Sequence, residues 1–232
     1  MNILNILFPP YCFNCETEWA YLCLSCKKHL QAHPEKCPIC HRISPGRHVC
    51  LKCKQQHTDL QGIIVGFQYT WVLKNLIRKL KYWHVQNLAN FLAERLQFSI
   101  LIHPTLLNAI QEKRLIISFV PSHRRRKHMV KWYNQSQLLA KSLAELLDVP
   151  SKQLRKKIKH TSAQAKLSRR KRTYNLQNAF IHTREQITWD ETILIVDDVT
   201  TTGSTIQELA RIHKETYPDT TVWWCVLWRH GR

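Results

Sequence analysis

The segment 193–205 holds the residues with the clearest chemical potential in this chain. It begins with four apolar residues, Ile193 to Val196, which predict a short buried parallel strand. The acidic pair Asp197 and Asp198 follows, and then a hydroxyl-rich loop with one glycine, Gly203. Ligands collect at the carboxyl ends of strands in an open α/β sheet, where this pair is expected to lie. The loop offers backbone N–H groups, hydroxyls and the start of a helix to an anion, so the segment predicts a phosphate site.

Three other interpretations compete with this prediction. An ordinary strand-turn-helix connection would use Ser204 or Thr205 only as a helix cap. A Walker loop would need glycine, four residues and then Gly-Lys-Ser/Thr, and a dinucleotide fingerprint would need three glycines where this loop has one. The ordered strand, acidic pair and loop resemble instead the motif that binds phosphoribosyl diphosphate (PRPP) in type I phosphoribosyltransferases. That resemblance implies that Asp197 and Asp198 are catalytic residues that hold the ribose hydroxyls. It also implies a 5-phosphate loop made of Thr200, Thr201, Thr202, Gly203, Ser204 and Thr205.

Eight of the nine cysteines form four C-x-x-C pairs near the N-terminus. Two thiolates separated by two residues can reach one tetrahedral ion, so four pairs supply the ligands of two structural zinc sites. The simplest assignment is sequential, with the first two pairs in one site and the last two in the other. An interleaved assignment, first with third and second with fourth, uses the same ligands. The predicted zinc ligands are Cys12, Cys15, Cys23, Cys26, Cys37, Cys40, Cys50 and Cys53.

A disulfide framework and a redox-active pair are the alternatives for these cysteines. A disulfide framework needs an exported chain, but the first ten residues lack a basic region and have too short an apolar run for a signal peptide. A redox pair would follow a strand in a βαβ unit, whereas these four pairs crowd into 42 residues with few apolar side chains. Cys225 lies in the apolar run 222–228 and is expected to be buried. The cysteines therefore predict structural zinc and a reducing, cytoplasmic setting.

The charge distribution indicates a polyanionic partner. The chain has 35 basic and 16 acidic residues and a net charge of +19. Nineteen of the basic residues lie in 113–184, where Glu145 and Asp148 are the only acids, and the part 152–172 has ten basic residues and no acid. One diphosphate does not need so many cations, so we expect this basic face to bind nucleic acid. The predicted contacts are Arg125, Arg126, Lys127, Lys156, Lys157, Arg169, Arg170 and Lys171.

The elements that position these residues alternate between strands and helices. Their alternation favours an α/β fold with a mostly parallel sheet, of the type I phosphoribosyltransferase kind. The predicted elements are strands over 115–120, 193–196 and 222–227, and helices over about 73–98 and over 135–147. We expect a double zinc-ribbon module at 1–57 and a phosphoribosyltransferase-like domain at 58–232. No apolar run approaches the length of a membrane span.

Nearly the whole chain resembles the ComF family of ComFC-like competence proteins, which join a double zinc ribbon to a phosphoribosyltransferase-like domain. The matching positions are Lys81-Tyr82, Val120-Pro121, Asn134-Gln135, Gln164, Leu167, Arg172, Asn175 and Ala179-Phe180. The chain departs from the family at Lys131-Trp132, where Arg-Gly is typical. Glycine accepts a positive φ that tryptophan adopts with difficulty, so the turn here differs or is not left-handed.

The ComF resemblance also implies a function and further site residues. It implies a pyrophosphate-binding turn at Ser122, His123 and Arg124, and a mobile basic loop at about 155–175. Arg172 is the first cation of that loop expected to meet the diphosphate, which arrives with Mg²⁺. The implied function is DNA uptake in natural transformation, with PRPP or a related ribose phosphate, single-stranded DNA and competence or DNA-processing proteins as partners.

Two other functions explain part of the sequence. A phosphoribosyltransferase of nucleotide salvage, or one with an unknown acceptor, accounts for the loop but not for the zinc module or the charge of +19. A zinc-ribbon nucleic-acid-binding regulator accounts for the metal and the charge but leaves the acidic pair without a role. No nucleobase pocket is identifiable in the sequence, so ribose phosphate binding is predicted and turnover is left open.

Overall fold

The computed structural model describes residues 10–18, 20–56, 58–82, 86–122, 133–158, 179–185 and 187–230. Its centre is a parallel sheet of four strands in the order β1-β6-β5-β2. These strands are β1 (Gly62–Val65), β2 (Leu115–Phe119), β5 (Thr192–Thr200) and β6 (Thr221–Arg229). A separate antiparallel pair is formed by β3 (Arg155–Lys157) and β4 (Phe180–His182). The predicted α/β fold with a parallel sheet is confirmed.

Helices cover both faces of this sheet. They are α1 (Leu24–Lys28), α2 (Leu51–Lys54), α3 (Trp71–Tyr82), α4 (Gln86–Leu101), α5 (Pro104–Gln111), α6 (Gln135–Leu147) and α7 (Ser204–Thr216), with a 3-10 turn at Pro45–Arg47. Alternate residues of β5 point to opposite faces, so Leu194 and Val196 join the core beneath α3, α4 and α6. Ile193 and Ile195 join the core beneath α7. This explains why the β5 sequence is continuously apolar. Among the helices described, none has both the length and the apolar character needed to cross a membrane.

The cysteine-rich segment packs directly on this α/β layer. His48 forms a β-bridge with Gly62 at the start of β1, and Ala32 forms one with Phe67 just after its end. Cys12 and Cys26 belong to the core on the α3 side of the sheet. Cys37 and Cys53 belong to the core on the α7 side. The two halves of the segment therefore support opposite faces of the sheet.

Most predicted elements are found, with corrections at their ends. The predicted strand over 115–120 is β2, and the predicted helix over 135–147 is α6. The apolar periodicity over 73–98 covers two helices, α3 and α4, which lie on either side of 83–85. The short strands β1, β3 and β4 were not predicted, because three or four residues show no measurable periodicity.

The end of β5 is the correction that concerns the site. Pairing with β2 ends at Val196, but pairing with β6 continues to Thr200. Asp197 and Asp198 therefore lie within a strand and not beyond its carboxyl end as predicted. They extend past the end of β2 and lie at the carboxyl edge of the sheet, where ligands of open α/β sheets collect.

Candidate functional site

Asp197 and Asp198, near the carboxyl end of β5, contact the helices α3 and α6. Asp198 Oδ2 lies 2.9 Å from Nζ of Lys81, near the end of α3. Asp197 Oδ1 accepts a hydrogen bond of 2.8 Å from Oγ of Ser136, in the first turn of α6. The carboxylates also bind their own strand, since Asp197 Oδ1 accepts from Asp198 N at 2.9 Å and Asp198 Oδ1 accepts from Val199 N at 2.7 Å. Both side chains are thus fixed before any ligand arrives.

Burial and neighbouring charges change the pKa values of Asp197 and Lys81. Burial, and after it the neighbouring Asp198, raises the pKa of Asp197 to about 7 against the hydrogen bond from Ser136. Burial alone would lower the pKa of Lys81, but the Asp198 carboxylate outweighs it and the pKa is raised. Lys81 therefore stays cationic at neutral pH, whereas Asp197 changes protonation there. Either carboxylate can accept hydrogen bonds from the hydroxyls of a ligand.

A short segment before α6 holds the helix end that carries Lys81. Tyr133 donates a hydrogen bond from its hydroxyl, and Gln135 one of 3.0 Å from Nε2, to the last carbonyls of α3. Asn134 caps α6 through its side-chain oxygen, and its Nδ2 donates to Val120 O at 2.9 Å. The Asn134-Gln135 motif therefore ties α3, α6 and the end of β2 together around the acidic pair. Sequence reasoning noted this motif and Lys81 without assigning their contacts, and it missed Ser136.

The loop after β5 has the geometry of an anion cradle. Gly203 is the N-cap of α7 with φ of 74°, a conformation that residues with a Cβ rarely adopt. Glycine has no side chain to cap the helix, and Ser204 N donates to Thr202 Oγ1 over 3.5 Å. The start of α7 also carries the positive end of the helix dipole, which suits an anion. The cap of α7 is therefore Gly203 and not Ser204 or Thr205. Oγ1 of Thr202 lies 3.0 Å from Oγ of Ser204. Thr200 and Ser204 are buried, Thr202 and Thr205 are partly exposed, and Thr201 is exposed.

A second group of predicted residues lies beyond the end of β2. The hydroxyl oxygen of Ser122 is buried, and it has no hydrogen-bond partner within the described ranges. It lines a cavity of about 380 Å³ together with Lys156 and Lys157 of β3. Arg155, part of the predicted mobile loop and its basic cluster, is instead buried in β3, with Nη2 2.9 Å from His213 Nδ1. Other predicted contacts lie outside the described residues, namely His123, Arg124, Arg125, Arg126, Lys127, Arg169, Arg170, Lys171 and Arg172.

The cysteines form two clusters, each of four residues, and all nine thiols are free. The first cysteine cluster is Cys12, Cys15, Cys23 and Cys26, and the second cysteine cluster is Cys37, Cys40, Cys50 and Cys53; within each, the sulfur atoms lie within 4.8 Å of one another. This is the sequential assignment. The spacing and the ligand set suit tetrahedral zinc, so each cluster can hold one ion.

The hydrogen bonds at the sulfur atoms also fit metal ligation. Cys37 Sγ accepts N–H bonds of 3.4 Å from both Ile39 and Cys50. Burial alone would raise the pKa of Cys37, but hydrogen bonds from backbone N–H groups outweigh burial, and the pKa is lowered to about 7. Burial raises the pKa of Cys26 and of Cys53 to about 12. Ionisation of those two thiols thus needs the charge of a bound ion.

The first cysteine cluster is bonded to the helix that carries Lys81. Asn14 Nδ2 donates to Cys26 Sγ at 3.1 Å, and its Oδ1 accepts from Asn75 Nδ2 of α3 at 3.1 Å. One helical turn later, Lys79 forms an ion pair of 3.3 Å with Glu16. The position of α3 is therefore set from both ends, by the cluster and by the segment before α6.

The second cysteine cluster is bonded to the end of β6. Arg229, a buried residue, donates from Nη1 to Cys37 O at 3.0 Å. Its Nη2 contacts Pro38 O and lies 2.7 Å from His41 Nε2. Arg229 pairs with Thr200 in the sheet, directly before the anion cradle. The cluster thus supports the strand that flanks the cradle.

Comparisons with known proteins agree with this geometry. The description "Phosphoribosyl transferase domain" matches residues 134–232, which include α6, β5 and the anion cradle. The protein named DNA utilization protein YhgH from Shigella flexneri is 30% identical over 224 residues, which cover 94% of this chain and 96% of that protein. Its namesake from Salmonella typhimurium strain LT2 is 31% identical over 227 residues, with the same coverage. Competence protein F from Haemophilus influenzae is 29% identical over 202 residues, covering 82% of this chain and 83% of that protein.

Proposed function

Since the chain belongs to the ComF-like family of competence and DNA utilization proteins, we propose that it binds PRPP, or a related ribose phosphate, and single-stranded DNA during natural transformation. In this proposal it is a cytoplasmic protein, with a double zinc-ribbon module at 1–57 and a phosphoribosyltransferase-like domain at 58–232. The ribose phosphate binds to the carboxyl end of β5 and the start of α7. DNA binds to the basic face that includes Lys156 and Lys157.

The observation that carries the ribose phosphate part is the fixed acidic pair next to an uncapped helix start. Hydroxyls at positions 2 and 3 of a ribose donate to Asp197 and Asp198, whose oxygens each accept more than one hydrogen bond. The 5-phosphate accepts from N–H groups after Gly203, at the positive end of the α7 dipole. Lys81 offsets the charge of Asp198, so a ligand with hydroxyl donors meets a site that is already organised.

The diphosphate of PRPP brings Mg²⁺ with it, and the described residues fit that cation. Desolvation, and after it the neighbouring Asp198 carboxylate, raises the pKa of Asp197 to about 7. A nearby cation favours its ionised form. The buried hydroxyl of Ser122, without a partner in the described part of the chain, faces a cavity shared with Lys156 and Lys157, which suits the diphosphate end of the ligand. Magnesium would offset charge on that diphosphate while the protein positions the ribose.

Calorimetric titration with Mg-PRPP tests the ribose phosphate part. Asp197→Asn with Asp198→Asn removes both hydroxyl acceptor charges and is expected to weaken binding at least tenfold, because two charge-assisted hydrogen bonds are lost. Thr202→Ala with Thr205→Ala is expected to weaken it less, since backbone N–H groups remain. The matched control is Asp190→Asn with Glu191→Gln, which changes the same charge at the amino end of the same strand. If the first pair of changes leaves the affinity equal to that of the control, the acidic pair does not bind the ligand.

Salt-dependent binding of a random single-stranded oligonucleotide tests the DNA part. Each neutralised phosphate contributes about 0.7 to the slope of log affinity against log salt. Lys156→Ala with Lys157→Ala is expected to lower both the affinity and the slope, as is the fourfold change of residues 169–172 to alanine. Lys52→Ala with Lys54→Ala, at the amino edge of the sheet, is the control for the loss of two charges. An unchanged slope in both basic-face variants would place the DNA elsewhere.

A further inference from the structure

An exposed row of aromatic rings lies at the carboxyl edge of β1 and β6. The ring of Tyr69 lies 4.5 Å from that of Trp228, and Trp228 lies 5.7 Å from the ring of His230 in an edge-on arrangement. Two residues after Tyr69, the ring of Trp71 lies 5.6 Å from that of His29. Tyr69 is 53% exposed and Trp71 is 55% exposed. These five residues are called the aromatic row below.

The aromatic row adjoins the proposed ribose phosphate site. Trp228 pairs with Val199 in the register of β5 and β6. The backbone N–H of His230 donates to Thr200 O at 2.8 Å. The row is therefore one strand away from the acidic pair and reaches Thr200, directly before the anion cradle. Trp228 is partly exposed and the other four rings are exposed, unlike Trp223 and Trp224, which are fully buried.

The surroundings of the aromatic row favour an anionic partner. The sequence segments that supply it, 20–34, 60–93 and 220–232, contain no aspartate or glutamate. Within the described residues these segments present four exposed cations, namely Lys27, Lys28, Lys74 and Arg78. Exposed aromatic rings next to exposed cations are typical of surfaces that bind single-stranded nucleic acid, where bases stack on rings while phosphates meet the cations.

We propose that the aromatic row is a stacking platform for the bases of single-stranded DNA. This rests on the proposed DNA binding and adds to it a second contact surface, distinct from the basic face at Lys156 and Lys157. A free nucleobase binds best in an enclosed pocket, whereas these rings lie on an open edge that suits a continuous strand. A strand that crosses this edge places a phosphate near the anion cradle while its bases stack on Tyr69 and Trp228.

Fluorescence anisotropy with two oligonucleotides of equal length and charge tests the platform. One is poly(dT), and the other carries abasic sites in place of its bases. The parent protein is expected to bind poly(dT) more tightly. Tyr69→Ala and Trp71→Ala are each expected to weaken poly(dT) binding about fivefold or more, as for the loss of one stacked base, and to leave abasic binding and the salt slope unchanged. Tyr69→Phe keeps the ring and is expected to keep the affinity.

Trp189→Ala is the control, because Trp189 is a tryptophan at least as exposed as Trp71 and lies just before the amino end of β5. Equal parent affinities for the two oligonucleotides, with a steep salt slope, would leave the proposed DNA binding intact and overturn the platform. Equal losses for both oligonucleotides in Tyr69→Ala would overturn it too, since the defect is then general. If Tyr69→Ala weakens only the binding of free dTMP or base-dependent diphosphate release, the row belongs to an acceptor site and the proposal is wrong.

Discussion

Replacing Lys81 by methionine removes the cation beside Asp198 with little change in side-chain volume. The two charges are 2.9 Å apart, and their side chains are 28% and 13% exposed. At an effective dielectric constant of ~20 the direct attraction is ~6 kcal/mol, most of which is offset by the cost of desolvating both groups. Exposed ion pairs contribute ~0–1 kcal/mol, and breaking a fully buried one costs ~3–5 kcal/mol. We therefore expect a loss of about 2 kcal/mol in the free energy of unfolding.

A double-mutant cycle with Asp198→Asn isolates the pair from other effects of each substitution. Urea unfolding of the parent, Lys81→Met, Asp198→Asn and the double variant is expected to show a coupling free energy of about 1–2 kcal/mol. Lys81→Met is also expected to weaken PRPP binding, because Asp198 Oδ2 loses the ammonium group that holds it in place. The double variant recovers stability relative to Lys81→Met, but not ligand affinity.

The control cycle uses Lys79 and Glu16, the ion pair two residues earlier on α3. Glu16 is 78% exposed, so this coupling is expected to stay below ~1 kcal/mol and to shrink at high salt. A coupling between Lys81 and Asp198 that is no larger than that of the control pair would refute the claim that Lys81 organises the acidic site.

The remaining predictions concern the metal, the buried acid and the segment before α6. Purified protein is expected to contain two zinc ions per chain by metal analysis; one ion, or intramolecular disulfides in protein prepared without oxidant, would contradict the two-site assignment. The pKa of Asp197 is raised to about 7 in the folded protein, so the folded state holds its proton more tightly and its contribution to stability is lost as pH rises through 7. Asp197→Asn is therefore expected to be more stable than the parent at pH 8 by ~1 kcal/mol or more while binding PRPP poorly, and parallel stability profiles of the two proteins over pH 5–8 would be inconsistent with this. Asn134→Ala removes the α6 cap and the bond to Val120 O, so urea unfolding is expected to show a loss of ~1–2 kcal/mol together with weaker PRPP binding; an unchanged midpoint would rule out this positioning role.

The parts of the site that the sequence predicted are those encoded locally. A strand, two acids, a glycine and a helix start follow one another within 193–205, and each is set by its own residue type. The cysteine clusters are local in the same sense, because each uses two neighbouring C-x-x-C pairs. In both cases the residues that supply the chemical groups are close together in the sequence, so they can be identified without knowing the tertiary fold.

The partners of the acidic pair could not be predicted in this way. Ser136 is 61 residues before Asp197, and Lys81 precedes Asp198 by more than a hundred. Their contacts arise because α3 and α6 pack on the same face of the sheet, which no local pattern specifies. The predicted end of β5 was wrong for a related reason. The length of β5 is set by its pairing with β6 and not by its own apolar run. From the sequence, Arg155 was counted as part of the basic face, but Arg155 is buried against His213. Its burial depends on the pairing of β3 with β4, which was not predicted from the sequence.

The two cysteine clusters are connected to the candidate site through elements on opposite faces of the sheet. The first cysteine cluster reaches Lys81 through Asn14, Asn75 and α3, and approaches the acidic pair from one face. The second reaches Thr200 through Arg229 and the end of β6, and supports the anion cradle from the other. Neither path needs a metal ion to touch the ligand. The free energy of zinc binding at each cluster would therefore also hold the two halves of the proposed ribose phosphate site in place, which gives a physical reason for joining a metal module to this fold.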